Sequence, residues 1–403
     1  MQALTKISLF IFLLISGVAW AESVPTPLPI YVGLDAEFGY KDSTSAEAIK
    51  RGMLIAIEEI NQRGGLLAGR PLAILERANN STPARSIANI QELAKLPDVV
   101  AVFCGRFSPT VLDSLPVIHQ QKIPMLDPWA AADGIIDNQY SPNYVFRLSL
   151  RDSWAMQTMI PFAGGKKLHK LGLLLLNTSW GRSNLSAAET YIKANSQYKI
   201  MAMQWYNWTD DSLLDKYLQI LNAGSEAVIF VGNPIDALKL VKAETSLPTE
   251  QRLPIISHWG ITGGNFAQQA GDLLTQVDFS MVQTYSFIGK QDAHTLQVLA
   301  AAQRLFGVKD VRALESPVGV AHAYDLMHIL AKAITLAGST DRSKIRDALE
   351  QVKNYEGLIK KFPQPFTAKR HEALTLQDVF MARYAADFAI EPIFSDKHSV
   401  LHH

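Results

Sequence analysis

Short runs of β-branched and aliphatic residues alternate along the chain with longer segments whose apolar residues recur every three to four positions. The first run, "LPIYVGL" at 28–34, predicts a strand, and the segment 46–62 predicts a helix with one apolar face. Gly64 and Gly65 follow at once and predict its end. This rhythm, repeated several times, favours parallel strands whose connecting helices cover a sheet.

The rhythm breaks after "YVFRLSLRD" at 144–152 and then begins again, with strands such as "LGLLLL" at 171–176 and "EAVIFVG" at 226–232. A third region, from about residue 291, contains two or three helices and one late strand. These elements are too few for a separate core. We therefore predict an α/β fold of two doubly wound, Rossmann-like lobes that the C-terminal region completes.

The first 21 residues predict a cleaved export signal. Lys6 precedes an apolar run at 7–20, and Ala19-Trp20-Ala21 fits the small-x-small pattern of a cleavage site. The run is shorter than the roughly 20 residues that span a membrane, although an uncleaved anchor helix is the alternative. We therefore expect cleavage after Ala21 and a soluble mature protein in the periplasm.

Charge and cysteine content narrow the possible functions. The chain has 38 basic and 38 acidic residues without a basic stripe, which argues against binding of nucleic acid. Cys104 is the single cysteine, so the monomer contains no disulfide, and its position after "VVAVF" predicts a buried thiol. The C-terminal segment 398–403 has three histidines, which could bind a metal in principle, but a frayed tail is the simpler expectation.

Catalytic motifs are missing from the sequence. It has no G-x-S-x-G elbow, no H-E-x-x-H, no P-loop and no dinucleotide fingerprint after the first strand. Its histidines are scattered over different elements, and no cluster suggests a metal site. We therefore expect a protein that is not an enzyme and that needs no cofactor or metal; a hydrolase dependent on His258 is the alternative.

Six segments follow one another in an order that is typical of a known family. They are "GMLIAIEEINQRGGLLAGRPLAI" at 52–74, "VVAVFCGRFSPT", "IPMLDPWA", "YVFRLSLRD", "NTSWGRSN" and "GVAHAYDLMHILAKAI". Together they resemble the exported type I solute-binding proteins of ABC transporters, in the branched-chain amino acid and amide group. The resemblance extends from about Ile30 to Pro392. It implies the type I periplasmic binding protein fold, in which a ligand is enclosed between two lobes joined by three hinge crossings.

The resemblance also suggests where the lobes begin and end. It places the crossings near 149–152, 285–288 and 357–365. The first lobe would then comprise 22–149 and 288–357, the second 150–287 and 358–395, and a flexible tail 396–403.

Ligands of open α/β sheets bind beyond the carboxyl ends of the strands, and the residues at these ends are the predicted contacts. In the first lobe they are Phe107, Ser108, Asp127, Trp129, Ala130 and Ala131. In the second lobe they are Trp180, Asn233, His258 and Trp259. Ser108 resembles a serine with which the family binds a ligand carboxylate, and an ordinary helix cap is the equal alternative.

Two positions depart from the amino-acid binders of the family. Those proteins usually carry a threonine where this chain has Ala131, and an acidic group for the ligand's ammonium where it has Trp259. An α-amino acid ligand is therefore disfavoured. Trp129, Trp180 and Trp259 predict instead a cleft walled by indoles, unless one or more of them packs between strand and helix.

Indole walls suit a flat aromatic ligand through stacking or an alkylated cation through cation–π attraction. A cation would gain support if two nearby acids faced the cleft. The candidate acids are Asp35, Glu37 and Asp127.

These features predict the substrate-binding protein of an ABC transporter, which closes its lobes on a small polar, aromatic or amino-acid-like ligand for uptake. The expected partners are the ligand and an ABC permease in the inner membrane, and the protein is expected to be a monomer. The same fold could instead signal to a membrane receptor or kinase. No membrane segment or kinase domain follows the predicted export signal, which favours uptake.

Overall fold

The computed structural model describes residues 27–393. The predicted export signal and the histidine-containing tail lie outside the described residues. None of the helices within 27–393 is long and apolar enough to cross a membrane. In the same range, no group of three or more histidine, cysteine, aspartate or glutamate side chains is placed to hold a metal ion.

The first sheet consists of five parallel strands in the order β2-β1-β3-β4-β5. The strands are β1 (Ile30–Ala36), β2 (Leu72–Ala78), β3 (Val99–Cys104), β4 (Met125–Asp127) and β5 (Val145–Arg147), and the intervening helices are α1 (Ser45–Gln62), α2 (Pro83–Ala94) and α3 (Ser108–Gln120). Every residue of β3 is buried, as expected where helices cover both faces of a parallel sheet. The thiol of Cys104 is free and buried, as predicted.

The second sheet repeats this plan with five further parallel strands. They are β6 (Lys170–Leu176), β7 (Lys199–Tyr206), β8 (Ala227–Val231), β9 (Ile255–Ser257) and β10 (Phe279–Gln283). Their helices are α4 (Asp152–Gly165), α5 (Ser179–Ala194), α6 (Leu214–Asn222), α7 (Pro234–Thr245) and the short α8 (Phe266–Ala270). The two sheets with their helices confirm the predicted α/β architecture of two doubly wound lobes.

The C-terminal region is divided between the two sheets. Its elements are α9 (Ala293–Phe306), α10 (Pro317–Ala337), α11 (Arg342–Leu349), the hairpin β11 (Tyr355–Glu356) and β12 (Lys361–Phe362), and the strands β13 (Phe380–Tyr384) and β14 (Ile390–Pro392). Helix α10 packs along α1 so closely that a Cβ atom at Gly52 would overlap the carbonyl group of Val320. Strands β13 and β14 pair antiparallel at the edge of the second sheet, next to β10.

The chain passes between the sheets for the third time after residue 373. The backbone N–H of Arg147 donates to the carbonyl of His371, and the N–H of Ala373 donates to the carbonyl of Arg147, both over 2.8 Å. Residues 371–373 therefore extend the first sheet beside β5, and the chain joins the second sheet only at β13. This passage lies downstream of the crossing predicted near 357–365.

A buried ion pair explains the late passage. The guanidinium group of Arg147 donates to both carboxylate oxygens of Glu372, over 2.9 and 2.6 Å, and Arg147 is fully buried. Breaking such a pair is strongly unfavourable, because Arg147 would become a buried charge without its bidentate partner and Glu372 would keep only Nη1 of Arg151, at 3.6 Å. The assignment of whole segments to the two lobes otherwise stays a prediction.

Candidate functional site

A cavity lies between the lobes, where the carboxyl ends of strands from both sheets face each other. It is lined by Arg106, Phe107, Ser108, Pro109, Trp129 and Ala131 from the first lobe and by Leu176, Thr178, Trp180, Trp208, Asn233, Trp259 and Gly260 from the second. Its free interior is about 10 Å³, room for about one water molecule. A larger ligand therefore enters only when the lobes or these side chains move apart.

The structure brings together seven of the ten predicted contact residues in this lining. They are Phe107, Ser108, Trp129, Ala131, Trp180, Asn233 and Trp259. The other three, Asp127, Ala130 and His258, are fully buried behind the cavity wall. Direct contact of these ten residues with a ligand stays a prediction.

A second cavity, of about 40 Å³, adjoins the first. The two cavities share Arg106, Trp208 and Asn233 in their linings. Tyr40 lines the second cavity, and its ring contacts Phe107 edge-on, with 5.7 Å between centroids. Phe107 in turn contacts Trp208 of the other lobe at 6.0 Å. Aromatic side chains thus also meet across the cleft where the two cavities adjoin.

The indoles of Trp129 and Trp259 meet across the cleft. Their ring centroids are 5.6 Å apart with an interplanar angle of 44°, and each residue is only 1% exposed. The far side of the Trp129 ring lies against α10, where a Cβ atom at Gly319 would come within 2.8 Å of it. Trp129 therefore lines the cavity and also packs on a helix, so the two alternatives for this residue are compatible.

Trp180 is held by a buried carboxylate. Its indole Nε1 donates to Oδ1 of Asp152 over 3.0 Å, and Nε2 of His258 donates to the same oxygen over 3.0 Å. The His258 ring also contacts the indole of Trp180 edge-on, at 4.9 Å between centroids. Asp152 begins α4, where the helix dipole favours a negative charge. His258 thus positions Trp180 from behind the cavity wall.

Ser108 is the first residue of α3, and its hydroxyl ties two parts of the cavity wall together. The oxygen accepts hydrogen bonds from the backbone N–H groups of Ala131 and Ala132, over 3.2 Å each. It caps no helix, because the N-cap position of α3 is occupied by Phe107. The hydroxyl hydrogen of Ser108 is a donor at the lining of the cavity.

The three acids that would support a cationic ligand are not among the described residues that line the first cavity. Asp127 accepts the backbone N–H groups of Trp129 and Ala130 over 2.9 and 2.7 Å, and burial raises the pKa of its carboxyl to about 7. Asp35 is bonded to the side chains of Asn79, Ser86 and Asn89, and Glu37 is bonded to Ser45 and to the backbone of Arg106. The condition for a cation is therefore not met by these residues.

Several lining residues were not among the predicted contacts: Arg106, Pro109, Leu176, Thr178, Trp208 and Gly260. Thr178 and Trp208 each come two residues after a strand, β6 and β7 respectively. The strand-end rule could have found both of them. Arg106 also follows a strand end, but its contacts with the second lobe depend on how the lobes meet.

Residues 259–264, here called the interlobe turn, extend from the second lobe and form hydrogen bonds with the first. The carbonyl of Gly263 accepts the backbone N–H of Thr44 over 3.0 Å and also Nη1 of Arg106. The hydroxyl of Ser316 donates to the carbonyl of Thr262 over 2.9 Å. These three bonds join the lobes directly and stabilise the closed arrangement.

A neutral histidine links α10 to the segment that follows β10. Nδ1 of His322 donates to the carbonyl of Pro128 over 2.8 Å, and Nε2 then accepts the hydroxyl of Thr284 over 3.0 Å. Burial lowers the pKa of His322 to about 4, so the ring is uncharged at neutral pH. Its ring lies 5.7 Å from that of Trp259 between centroids and backs this wall of the cleft.

Comparison with solved structures shows which proteins share this two-lobed fold. A periplasmic binding protein type 1 from Bordetella pertussis Tohama I aligns with a TM-score of 0.81 and 21% identity, over 91% of this chain and 100% of that one. The branched-chain amino acid transporter substrate binding protein LivJ from Streptococcus pneumoniae, in complex with isoleucine, aligns with a TM-score of 0.75 and 20% identity, over 91% and 99%.

A solute-binding protein of an ABC transporter from R. palustris, in complex with 4-hydroxybenzoate, aligns with a TM-score of 0.74 and 17% identity, over 90% of this chain and 95% of that one. These TM-scores show a shared fold. A search of curated protein sequences found no match. The model of the family described as periplasmic binding protein matches residues 29–389. The match covers nearly the whole described chain, and the protein therefore belongs to the periplasmic binding protein family, with the type I fold that its sequence predicted.

Proposed function

We propose that this protein is the periplasmic substrate-binding protein of an ABC transporter and that it closes its lobes around a small ligand with a flat aromatic part. The observation that carries the proposal is the aromatic lining of the interlobe cavity. Five rings contribute to it, those of Phe107, Trp129, Trp180, Trp208 and Trp259. Stacking on such rings adds about 0.5–1.5 kcal/mol per well-placed contact beyond simple burial.

Closure is the output of the molecule in this proposal. The bonds between the interlobe turn and the first lobe form only when the lobes meet, so a ligand that fills the cleft shifts the population toward the closed state. A permease in the inner membrane would recognise that state. The monomeric state, export after Ala21 and the permease itself belong to the proposal.

Related structures support an aromatic ligand within a family of varied ligands. The S. pneumoniae protein holds isoleucine, and the R. palustris protein holds 4-hydroxybenzoate. In this chain, no carboxylate is among the described residues that line the first cavity, so no acid is placed there to bind the ammonium group of an amino acid. The indole walls favour the aromatic class.

The proposal predicts that small aromatic compounds raise the melting temperature of the purified mature chain, residues 22–403. At a ligand concentration 100 times Kd, the stabilisation amounts to about 2.7 kcal/mol. A thermal-shift screen would compare aromatic acids and aromatic amides with aliphatic amino acids, aliphatic amides and quaternary amines, each at equal concentration and ionic strength. A shift with aliphatic amino acids alone would contradict an aromatic ligand.

Uptake is tested in cells. Deleting the gene should abolish accumulation of the radiolabelled ligand that the screen identifies, and expression of the full chain should restore it. Undiminished uptake in the deletion strain, with loss of a transcriptional response to the ligand, would instead indicate a sensing protein.

A further inference from the structure

Two buried nitrogen donors without a hydrogen-bond partner belong to residues of the lining that the two cavities share. They are Nε of Arg106 and Nδ2 of Asn233. Arg106 is 6% exposed and Asn233 is 8% exposed. A buried donor without a partner costs about 1–3 kcal/mol, and more when it is charged. Two such donors at one cavity indicate that a ligand supplies the missing acceptors.

The orientation of the Asn233 amide is fixed by the helix that follows it. Asn233 is the N-cap of α7, and its side chain accepts the backbone N–H of Asp236 in a capping box. The backbone N–H of Asn233 donates in return to Oδ2 of Asp236 over 3.1 Å. The amide oxygen is thereby committed to the helix. The nitrogen is the end that remains for a ligand.

The guanidinium group of Arg106 is only partly compensated. Nη1 donates to the carbonyl of Gly263, and the group lies over the ring of Phe107, 4.6 Å from its centroid. The nearest carboxylate is that of Glu37, whose Oε1 is 4.0 Å from Nε and already accepts the hydroxyl of Ser45. A buried charge in this situation favours an additional negative partner.

The first cavity has a single charged side chain in its described lining, that of Arg106. Lys41, Asp42 and Asp236 also line the second cavity, and Asp236 is committed to the cap of α7. The described lining of the first cavity therefore carries one cation among apolar rings and no carboxylate.

We infer that the ligand is a planar aromatic anion without an ammonium group. Its ring lies among the indoles, and its carboxylate or equivalent anionic oxygen accepts from Nε of Arg106 and Nδ2 of Asn233. This inference rests on the proposed function and adds the charge of the ligand and the two residues that select it.

Calorimetric titration of the mature chain with three matched probes tests the charge. Benzoate carries the anion, benzamide replaces it with a neutral group of the same shape, and benzylamine carries a cation. Hydrogen bonds to charged groups contribute roughly 1.5–3 kcal/mol, so benzoate should bind at least about tenfold more tightly than benzamide. Benzylamine should bind most weakly. Equal affinities for benzoate and benzamide, or a preference for benzylamine, would overturn the inference.

The Arg106→Met variant tests the residue, with the ratio of the two affinities as the readout. This substitution also removes the bond to Gly263. The loss of that bond weakens closure on every ligand alike, so by itself it does not change the ratio. Loss of the charge should reduce the preference for benzoate over benzamide to about twofold or less. Arg106→Lys should retain part of it. Arg182→Met is the matched control, because the Arg182 side chain lies over Trp205 and is not part of either lining.

Removing the amide donor of Asn233 gives a second, independent test. Asn233→Asp keeps an oxygen to cap α7 but places a carboxylate at the cavity, so binding of benzoate should fall more than tenfold while benzamide is affected less. An unchanged ratio in both Arg106→Met and Asn233→Asp would overturn the assignment of these donors. Binding of an amino acid with closure of the lobes would refute the anion and leave the transport proposal standing, whereas a chain that binds no small molecule would contradict both.

Discussion

Replacing Gly264 by alanine is expected to hold the lobes apart and to weaken ligand binding about 100-fold. Gly264 ends the interlobe turn and pairs with Ser43 of the first lobe as an antiparallel bridge. A Cβ atom there would overlap the carbonyl oxygen of Asp42, in the first lobe, and would lie 2.8 Å from Cγ of Pro234. Gly264 does not have a positive φ, so the cost arises from the space and not from backbone strain.

The size of the effect follows from the hydrogen bonds that the added methyl group would break. The interlobe turn receives a backbone N–H, a hydroxyl and a guanidinium group from the first lobe, through Thr44, Ser316 and Arg106. Neutral bonds contribute about 1 kcal/mol each and bonds to charged groups about 1.5–3 kcal/mol. A loss of roughly 3 kcal/mol from the closed state corresponds to about 100-fold in apparent affinity.

Calorimetry with the tightest ligand and small-angle X-ray scattering would measure this prediction. The variant should bind weakly and keep a larger radius of gyration at ligand concentrations that compact the unmodified chain. Gly165→Ala is the matched control, because no atom lies within 4 Å of the added methyl position. Wild-type affinity in Gly264→Ala would show that the interlobe turn does not govern closure.

The Arg147→Met variant is expected to lose about 3–5 kcal/mol of unfolding free energy. Nη1 of Arg147 donates to the carbonyls of Ala130 and Ala132, over 3.2 and 2.9 Å, in addition to the pair with Glu372. Burial lowers the pKa of the guanidinium group, but the charge and hydrogen bonds of Glu372 outweigh it and raise this pKa above its ordinary value. Removing the cation leaves the two carbonyls without their donor and the buried Glu372 carboxylate with only Nη1 of Arg151, at 3.6 Å, and the loss of a buried partner typically costs this much.

Urea unfolding at neutral pH would measure the loss, and a double variant would identify its cause. Arg147→Met combined with Glu372→Gln removes both charges, so the double variant should be less destabilised than Arg147→Met alone. If the double variant lost as much as the two single variants together, the destabilisation would come from packing and not from the uncompensated charge.

The sequence predicted the strands and their ends well because buried parallel strands are nearly continuous apolar runs. "VVAVFC" and "AVIFV" form β3 and β8 and are buried at every position. Rings that follow strand ends, such as Trp129 and Trp180, were found by the same rule. This rule uses only local information and applies to each strand separately.

The rule does not resolve which way neighbouring side chains point. Ala130 lies between Trp129 and Ala131, and it packs into a core cluster with Cys104 while its two neighbours line the cavity. His258 and Trp259 are adjacent, yet the first binds Asp152 behind the wall and the second faces the cleft. One residue along an extended segment is enough to reverse the direction of a side chain.

Contacts between distant segments were beyond the reach of local patterns. The pair of Arg147 and Glu372 joins residues far apart in sequence and delays the third passage between the sheets. The hydrogen bonds from Thr44 and Arg106 to the carbonyl of Gly263 likewise form only where the two lobes meet. Each of these contacts is specified by tertiary packing and leaves no periodic signal in the sequence.

The central claim, that a ligand stacks on indoles between the lobes, is tested most directly by titrating benzoate into three tryptophan variants. Trp129→Ala and Trp259→Ala each remove a ring from the cavity, and Trp154→Ala removes a partly buried ring of α4 that is not in the lining. We predict that the two cavity variants bind benzoate roughly tenfold or more weakly, with Trp154→Ala unchanged. Equal affinities in all three variants would contradict the account.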